Sequence, residues 1–129
     1  MRSKFDEQLA LLNRDLTKMG SLCEEALALA AKALANADGQ TAAKIAPIDS
    51  EIDQMERTIE SLCLKLLLQQ QPVARDLRQI SAALKMITDM ERIGDHASDI
   101  SEMAILMADR PYIKKLEHIQ EMAKESSLM

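Results

Sequence analysis

Three acidic residues follow one another at four-residue spacing near the middle of the chain: Glu91, Asp95 and Asp99. Residues four apart lie on the same face of a helix, so these carboxylates stack along one face if the segment is helical. Like charges at this spacing repel each other by about 0.2–0.5 kcal/mol per pair, so the helix gains nothing from them locally. A cation between the carboxylates would remove the repulsion, which makes this series a candidate metal site.

A second acidic series precedes the first one in the chain. Its members are Asp49, Asp53, Glu56 and Glu60. A tight connection at residue 71 is expected to turn the chain back, so residues equally distant from it lie level. The midpoint of Asp49 and Asp53 then maps onto residue 91, two residues or about 3 Å from the midpoint of Glu91 and Asp95. We therefore expect four or five carboxylates at one level, a ligand set that suits a hard cation.

The same residues also have interpretations that involve no metal. Asp49 lies shortly after a proline, where an acidic side chain favours the positive end of a helix dipole. Asp53 can form an ordinary surface ion pair with Arg57 one helical turn later. Glu56 and Glu60 suit a solvated helix face. A coiled-coil dimerisation module with a solvated acidic stripe is therefore the alternative to a metal-binding protein.

Gly94 lies inside the first acidic series. A glycine in a helix interior costs about 1 kcal/mol relative to alanine, so its presence predicts a close approach of a backbone or ligand at this level. His96 lies beside it, but residue 93 is isoleucine, so the Glu-x-x-His motif of di-iron bundles is absent; His118 does not complete that motif either. The absence of this motif argues against oxygen-activating catalysis, and we expect no enzymatic activity.

The composition restricts the class of protein. The chain has 129 residues, a net charge of −5 and only 2% aromatic residues, so it forms one domain and is unsuited to binding nucleic acid. The most apolar stretch, residues 62–68, contains a lysine and is too short to span a bilayer, so we expect no membrane insertion. Cys23 and Cys63 are predicted to be buried, reduced thiols, with a structural disulfide as the alternative. The N-terminus runs into an amphipathic helix without an apolar signal region, so we expect a cytoplasmic protein.

Heptad patterns predict three long helices. The first runs from about Phe5 to Ala37 and ends at Gly39, which is expected to adopt the left-handed conformation. The second begins near Thr41, restarts at Pro47 and ends before Pro72, which is expected to be the first residue of the third helix. Residues 109–111 break the chain, and a fourth helix is expected from Tyr112.

Each heptad defines a predicted core seam. The first seam is Phe5, Leu9, Leu12, Leu16, Met19, Cys23, Ala26, Ala30, Ala33 and Ala37. The second is Ile45, Ile48, Ile52, Met55, Ile59, Leu62 and Leu66. The third is Leu77, Ile80, Leu84, Ile87, Glu91, Gly94, Ser98, Ser101, Ile105 and Ala108. Short connections make neighbouring helices antiparallel, so the predicted fold is all-α: an up-down-up three-helix bundle over 1–110, with the start of an additional C-terminal helix over 111–129.

Four segments resemble one known family in order and spacing. They are Phe5-Asp-Glu-Gln-Leu9, Asp49-Ser-Glu-Ile-Asp53, Gln69-Gln-Gln-Pro-Val-Ala-Arg-Asp-Leu-Arg78 and Leu84-Lys-Met-Ile-Thr-Asp-Met-Glu-Arg-Ile-Gly-Asp95. The chain resembles the PhoU family of phosphate-signalling regulators, and the resemblance covers essentially its whole length.

The resemblance implies properties that the pattern alone does not. PhoU proteins are built from two similar three-helix bundles and bind clusters of iron or other metal ions through E(D)xxxD motifs. In this chain those motifs fall on Asp49 with Asp53 and on Glu91 with Asp95, and Asp99 extends the second one. The ion remains open between iron, zinc, manganese and magnesium, because all accept carboxylate ligands.

The resemblance also implies a role and partners. The family acts as a negative regulator of the phosphate-starvation response and links the ATPase of a phosphate ABC transporter to a membrane sensor kinase. Only one copy of the three-helix unit is present here, since no second Glu-Arg-Ile-Gly-Asp occurs. We therefore expect a homodimer, in which residues 111–129 pack on the partner protomer.

Overall fold

A computed structural model of the chain describes residues 2–69 and 72–108. It contains α1 (Arg2–Asn36), the short α2 (Gly39–Ala43), α3 (Ile45–Gln69) and α4 (Ala74–Ala108). The three long helices pack around a shared apolar core. The expected fourth helix, and with it the unit 111–129, lies outside the described residues.

Contacts between α1 and α4 show that these two helices run in the same direction. The side-chain amide of Gln79 donates a 3.4 Å hydrogen bond to Oδ1 of Asn13. Further along both helices, the thiol of Cys23 donates to the backbone carbonyl of Met90 at 3.3 Å. Residue numbers thus rise together on α1 and α4, as the up-down-up prediction requires.

Contacts between α3 and α4 show the opposite relation. Gly94 lies against Asp49, whereas Glu91 lies against Glu56. Residue numbers fall on one helix as they rise on the other, so α3 and α4 are antiparallel. The predicted all-α, up-down-up bundle is therefore confirmed.

The predicted seams of α1 and α3 form the core. The buried members are Phe5, Leu12, Met19, Cys23, Ala26, Ala30 and Ala33 of α1, with Ile45, Ile48, Ile52, Ile59 and Leu66 of α3. Burial of a large apolar side chain contributes about 1.5–3 kcal/mol, so these regular seams account for the packing of the two helices. Cys23 and Cys63 are both buried free thiols, as predicted.

The predicted seam of α4 is partly wrong. Leu77 and Ile105 are 44% and 38% exposed, whereas Ala83, Ala97 and Ala104 are buried. At alternate positions of the predicted seam, the buried residue of α4 is the one that precedes the predicted residue. Three of these buried residues are alanines. Alanines allow α4 to approach its neighbours closely: Ala104 packs with Ala33 of α1 and Ala42 of α2.

The connection between α1 and α3 also differs from the prediction. The residue with positive φ is Ala37 (φ 49°) rather than Gly39, which begins α2. Asp38 caps α2 by accepting hydrogen bonds from the backbone N–H of Gln40 at 3.0 Å and the hydroxyl of Thr41 at 2.6 Å. Because this cap starts a separate short helix, the predicted second helix is two helices.

The helix break and the start of α4 also fall at positions other than those predicted. The break lies at Lys44, so Pro47 falls within the first turn of α3, where a missing N–H costs little. Pro72 precedes α4 instead of starting it. The carboxylate of Asp76, which is 2% exposed, accepts a 3.3 Å hydrogen bond from the N–H of Val73 and thereby sets the start of α4. Across the described ranges, 2–69 and 72–108, no helix has the length and apolar character needed to cross a bilayer.

Candidate metal site

The antiparallel pairing of α3 and α4 brings three of the predicted ligands together. Asp49, Asp53 and Asp95 each place one carboxylate oxygen within 4.8 Å of the other two. A hard cation holds its oxygen ligands at roughly 2.0–2.6 Å, so two oxygens on opposite sides of one ion are about 4–5 Å apart. The three carboxylates therefore have the spacing of ligands to one ion.

Two of these carboxylates have an oxygen without a hydrogen-bond partner among the described residues. Oδ1 of Asp49 and Oδ1 of Asp53 are buried and have no hydrogen-bond partner within the described part of the chain. A buried polar atom without a partner costs free energy, and such atoms are rare in native structures. A cation between α3 and α4 would give both oxygens the positive partner that they lack, so the residues present fit a metal ion.

The environment of Asp49 disfavours its charged form. Burial raises the pKa of the Asp49 carboxyl, and the negative charges of Asp53, Asp95 and Asp99 raise it further. A bound cation would reverse this effect, because it stabilises the ionised carboxylates.

Glu91 lies beside the three aspartates in a carboxyl pair. Burial, the adjacent Glu56 and Asp95, and a hydrogen bond with Glu56 raise the pKa of Glu91 to about 7. Two carboxyl groups form such a bond only when they share a proton, since like charges at this distance repel. Below pH 7 the metal-free protein therefore holds a proton close to the candidate metal position.

The five predicted site residues thus separate into two groups. Asp49, Asp53 and Asp95 form the compact cluster, whereas Glu91 and Asp99 are outside it. The negative charges of Asp95 and Asp53 raise the pKa of Glu91, and the negative charge of the exposed Asp99 raises the pKa of Asp49.

The prediction that Glu56 lies on a solvated face is wrong. It is half-buried and bonds to Glu91, whereas Glu60 is exposed as expected. The signal was present in the sequence, because Glu56 continues the series of Asp49 and Asp53 on one side of α3. The sequence pattern does not show that this side of α3 faces α4.

Two other sequence interpretations can now be judged. Gly94 is buried, and the close approach predicted there is made by the side chains of Asp49 and Ile52 rather than by a backbone. No acidic residue lies in the first turn of α3, so Asp49 is too far along the helix to interact with its dipole. His96 is exposed on α4, while His118 lies outside the described residues.

The fold and the cluster together define a class: all-helical bundles whose antiparallel helices present facing carboxylates. Comparison with known proteins identifies the family. The sequence model of the PhoU domain family matches residues 16–104, which is more than half of the chain. The chain belongs to the PhoU family.

Similar proteins carry names from phosphate transport. A phosphate-specific transport system accessory protein PhoU homolog of Synechocystis sp. is 38% identical over 99% of this chain and 57% of its own length. A protein of the same name from Pseudomonas aeruginosa is 36% identical over 95% of this chain and 54% of its own length. The crystal structure of PhoU from Pseudomonas aeruginosa superimposes with a TM-score of 0.79 at 38% identity, covering 89% of this chain and 57% of that one. The chain thus spans a little over half the length of these relatives.

Proposed function

We propose that this chain is a metal-binding regulator of phosphate uptake and of the phosphate-starvation response. The observation that carries the proposal is the cluster of three carboxylates, two of which have a buried oxygen without a hydrogen-bond partner among the described residues. The relatives are named as accessory proteins of phosphate-specific transport, which supports the physiological setting.

In the proposed site, Asp49 and Asp53 of α3 and Asp95 of α4 hold the cation. Glu91 and Asp99 complete its surroundings from the adjacent turns of α4. The ion supplies positive charge that offsets the repulsion between these residues and ties α3 to α4. Iron, zinc, manganese and magnesium all accept such ligands, so occupancy depends on which ion the cell supplies.

The proposed regulator works by docking and performs no turnover of its own. Its partners are the ATPase of a phosphate ABC transporter and the sensor kinase of the phosphate response, on which it acts as a negative regulator. The metal would fix the relative position of α3 and α4 and so the surface that these partners contact. The free thiols of Cys23 and Cys63 suit action in the cytoplasm, where thiols remain reduced.

The first experiment measures the metal content of the purified protein by mass spectrometry. Asp49→Asn and Asp95→Asn each remove one proposed ligand, and Glu60→Gln is the matched control because Glu60 is exposed on the same helix as Asp49. We expect stoichiometric metal in the native and control proteins and its loss in both aspartate variants. Metal that survives both substitutions, or is absent after reconstitution, would contradict the proposal.

A second experiment separates this function from the coiled-coil dimerisation module. Binding to the purified transporter ATPase is measured with the protein loaded with metal and after chelation. The proposed regulator binds the ATPase more tightly when it is loaded. A simple dimerisation module would show no metal dependence and would tolerate both aspartate substitutions.

A further inference from the structure

The described long helices contain two interior glycines in very different surroundings. A Cβ atom added to Gly20 of α1 would meet nothing within 4 Å. A Cβ atom added to Gly94 of α4 would lie 2.9 Å from Oδ1 of Asp49. Oδ1 is also the buried Asp49 oxygen that lacks a hydrogen-bond partner. Glycine at position 94 therefore leaves room for one particular carboxylate oxygen.

The space around Gly94 is closed on its other side as well. The same Cβ atom would lie 3.1 Å from Cδ1 and 3.3 Å from Cγ2 of Ile52, a side chain with 0% exposure. A fully buried isoleucine has little freedom to move, because protein interiors are close-packed. A methyl group at position 94 would therefore displace the Asp49 carboxylate, which is only half-buried, rather than the core.

We infer that Gly94 is a positioning residue of the metal site, together with the Ile52 side chain beneath it. The bare backbone of α4 lets the Asp49 carboxylate reach across to α4 and lie beside Asp95. A side chain at position 94 would push Oδ1, and with it the Asp49 carboxylate, away from its place beside Asp53 and Asp95. This inference rests on the proposed function, since it names a residue that shapes the proposed site.

The test compares Gly94→Ala with Gly20→Ala. Alanine favours the helix at both positions, so the pair isolates what the added methyl group meets. Affinity for Mn²⁺ is measured by titration calorimetry, and the unfolding temperature is measured on the metal-free proteins. We expect Gly20→Ala to bind Mn²⁺ like the native protein, with an equal or higher unfolding temperature. Gly94→Ala should bind roughly ten- to a hundredfold more weakly, the usual effect of disturbing a residue that orients a ligand.

A second pair of variants separates positioning from packing. Ile52→Val removes Cδ1, the closer of the two isoleucine atoms, and leaves Asp49 untouched. Gly94→Ala is then introduced into Ile52→Val. The added methyl group should lower the unfolding temperature less in Ile52→Val than in the native protein, while Mn²⁺ affinity should stay low. Recovery of both properties would assign Gly94 to packing and overturn the inference.

The outcomes also distinguish this inference from the proposed function. Native protein that binds Mn²⁺, with Gly94→Ala binding it equally well, would overturn the role of Gly94 alone. Native protein that binds no metal ion would overturn the proposed function and the inference with it.

Discussion

The carboxylates of Asp49 and Asp53 lie where a metal-free helical bundle gains nothing from them. Each has a buried oxygen without a hydrogen-bond partner in the part of the chain that the structure describes, and burial with neighbouring charges raises the pKa of Asp49. Such residues lower the stability of the metal-free protein and raise its affinity for a cation. Their effects on stability should therefore change sign when metal is added.

Asp49→Asn should stabilise the metal-free protein. The amide keeps the size of the side chain and removes a charge that the site disfavours, a gain on the order of 1 kcal/mol or less after solvent screening. Urea unfolding in the presence of a chelator measures this difference. With saturating metal the order should reverse, because only the native protein gains binding free energy. Glu60→Gln, on an exposed position, should change neither value by more than about 0.5 kcal/mol.

The stability of the metal-free protein should fall as pH rises toward neutrality. The pKa of Glu91 is about 7 in the folded chain, against an ordinary value of 4.5. A raised pKa means that the folded state binds the proton more tightly, so this contribution is complete below pH 4.5 and is lost as pH rises through 7. The raised pKa of Asp49 acts in the same direction.

Unfolding temperatures between pH 4.5 and 8, recorded with a chelator, test this dependence. Glu91→Gln removes the titrating group while keeping its size, so its curve should be flatter than that of the native protein. An equally steep curve for Glu91→Gln would assign the pH dependence to other groups.

The end of α1 is held by a residue in an unfavourable conformation. Ala37 has φ 49°, in the left-handed region where a Cβ atom is strained and glycine is not. The backbone N–H of Asp38 nevertheless donates a 3.0 Å hydrogen bond to the carbonyl of Ala33, which closes the helix. This turn therefore retains strain that a substitution can release.

Ala37→Gly should raise the free energy of unfolding by about 0.5–1 kcal/mol, because glycine adopts this φ without strain. Ala28→Gly is the matched control, since Ala28 is exposed inside α1 and glycine there should cost about the same amount. Chemical denaturation of both variants measures the two effects. Equal destabilisation by both substitutions would contradict the assigned conformation of residue 37.

Most of this helical architecture could be predicted from the sequence. The heptads of α1 and α3 indicate their core faces, because each of these helices buries a single apolar stripe along its length. Counting from the α3–α4 turn also indicates that Asp49 and Asp95 lie level. Predictions from the sequence are wrong where a local effect competes with the heptad. Examples are the helix start set by the cap at Asp38 and the alanine face of α4. The sequence does not predict the Glu56–Glu91 pair, because a one-dimensional pattern gives the position of a residue along the helix axis but not its angle around that axis relative to a neighbouring helix.

On the scale of the whole molecule, α1 carries apolar side chains that the bundle leaves partly uncovered. Leu27 and Leu34 are 44% and 43% exposed and lie two turns apart, on one face of α1. The predicted homodimer needs an exposed apolar surface, so we propose that a second copy of the chain packs on this face of α1.

Leu27→Glu should shift the protein from dimer to monomer, because a charge would be placed in an apolar interface. Sedimentation equilibrium measures the mass of the assembly. Leu11→Glu is the control: Leu11 is 39% exposed but lies about 160° around α1 from Leu27 at roughly 100° per residue. Monomeric native protein, or equal effects of both substitutions, would exclude a dimer through this face.

The hydrogen bond from Cys23 to the carbonyl of Met90 provides a natural reporter of motion. Met90 adjoins Glu91, and Cys23 is only 4% exposed, so a thiol reagent reaches Cys23 only when the bundle opens near the carboxylates. Burial also raises the pKa of this thiol, which slows its reaction further. An ion that ties α3 to α4 should therefore slow the labelling of Cys23 in proportion to its occupancy. In a Cys63→Ser variant, where Cys23 is the one remaining cysteine, the rate of a simple colorimetric thiol reaction would then follow in real time how tightly the closed bundle is held.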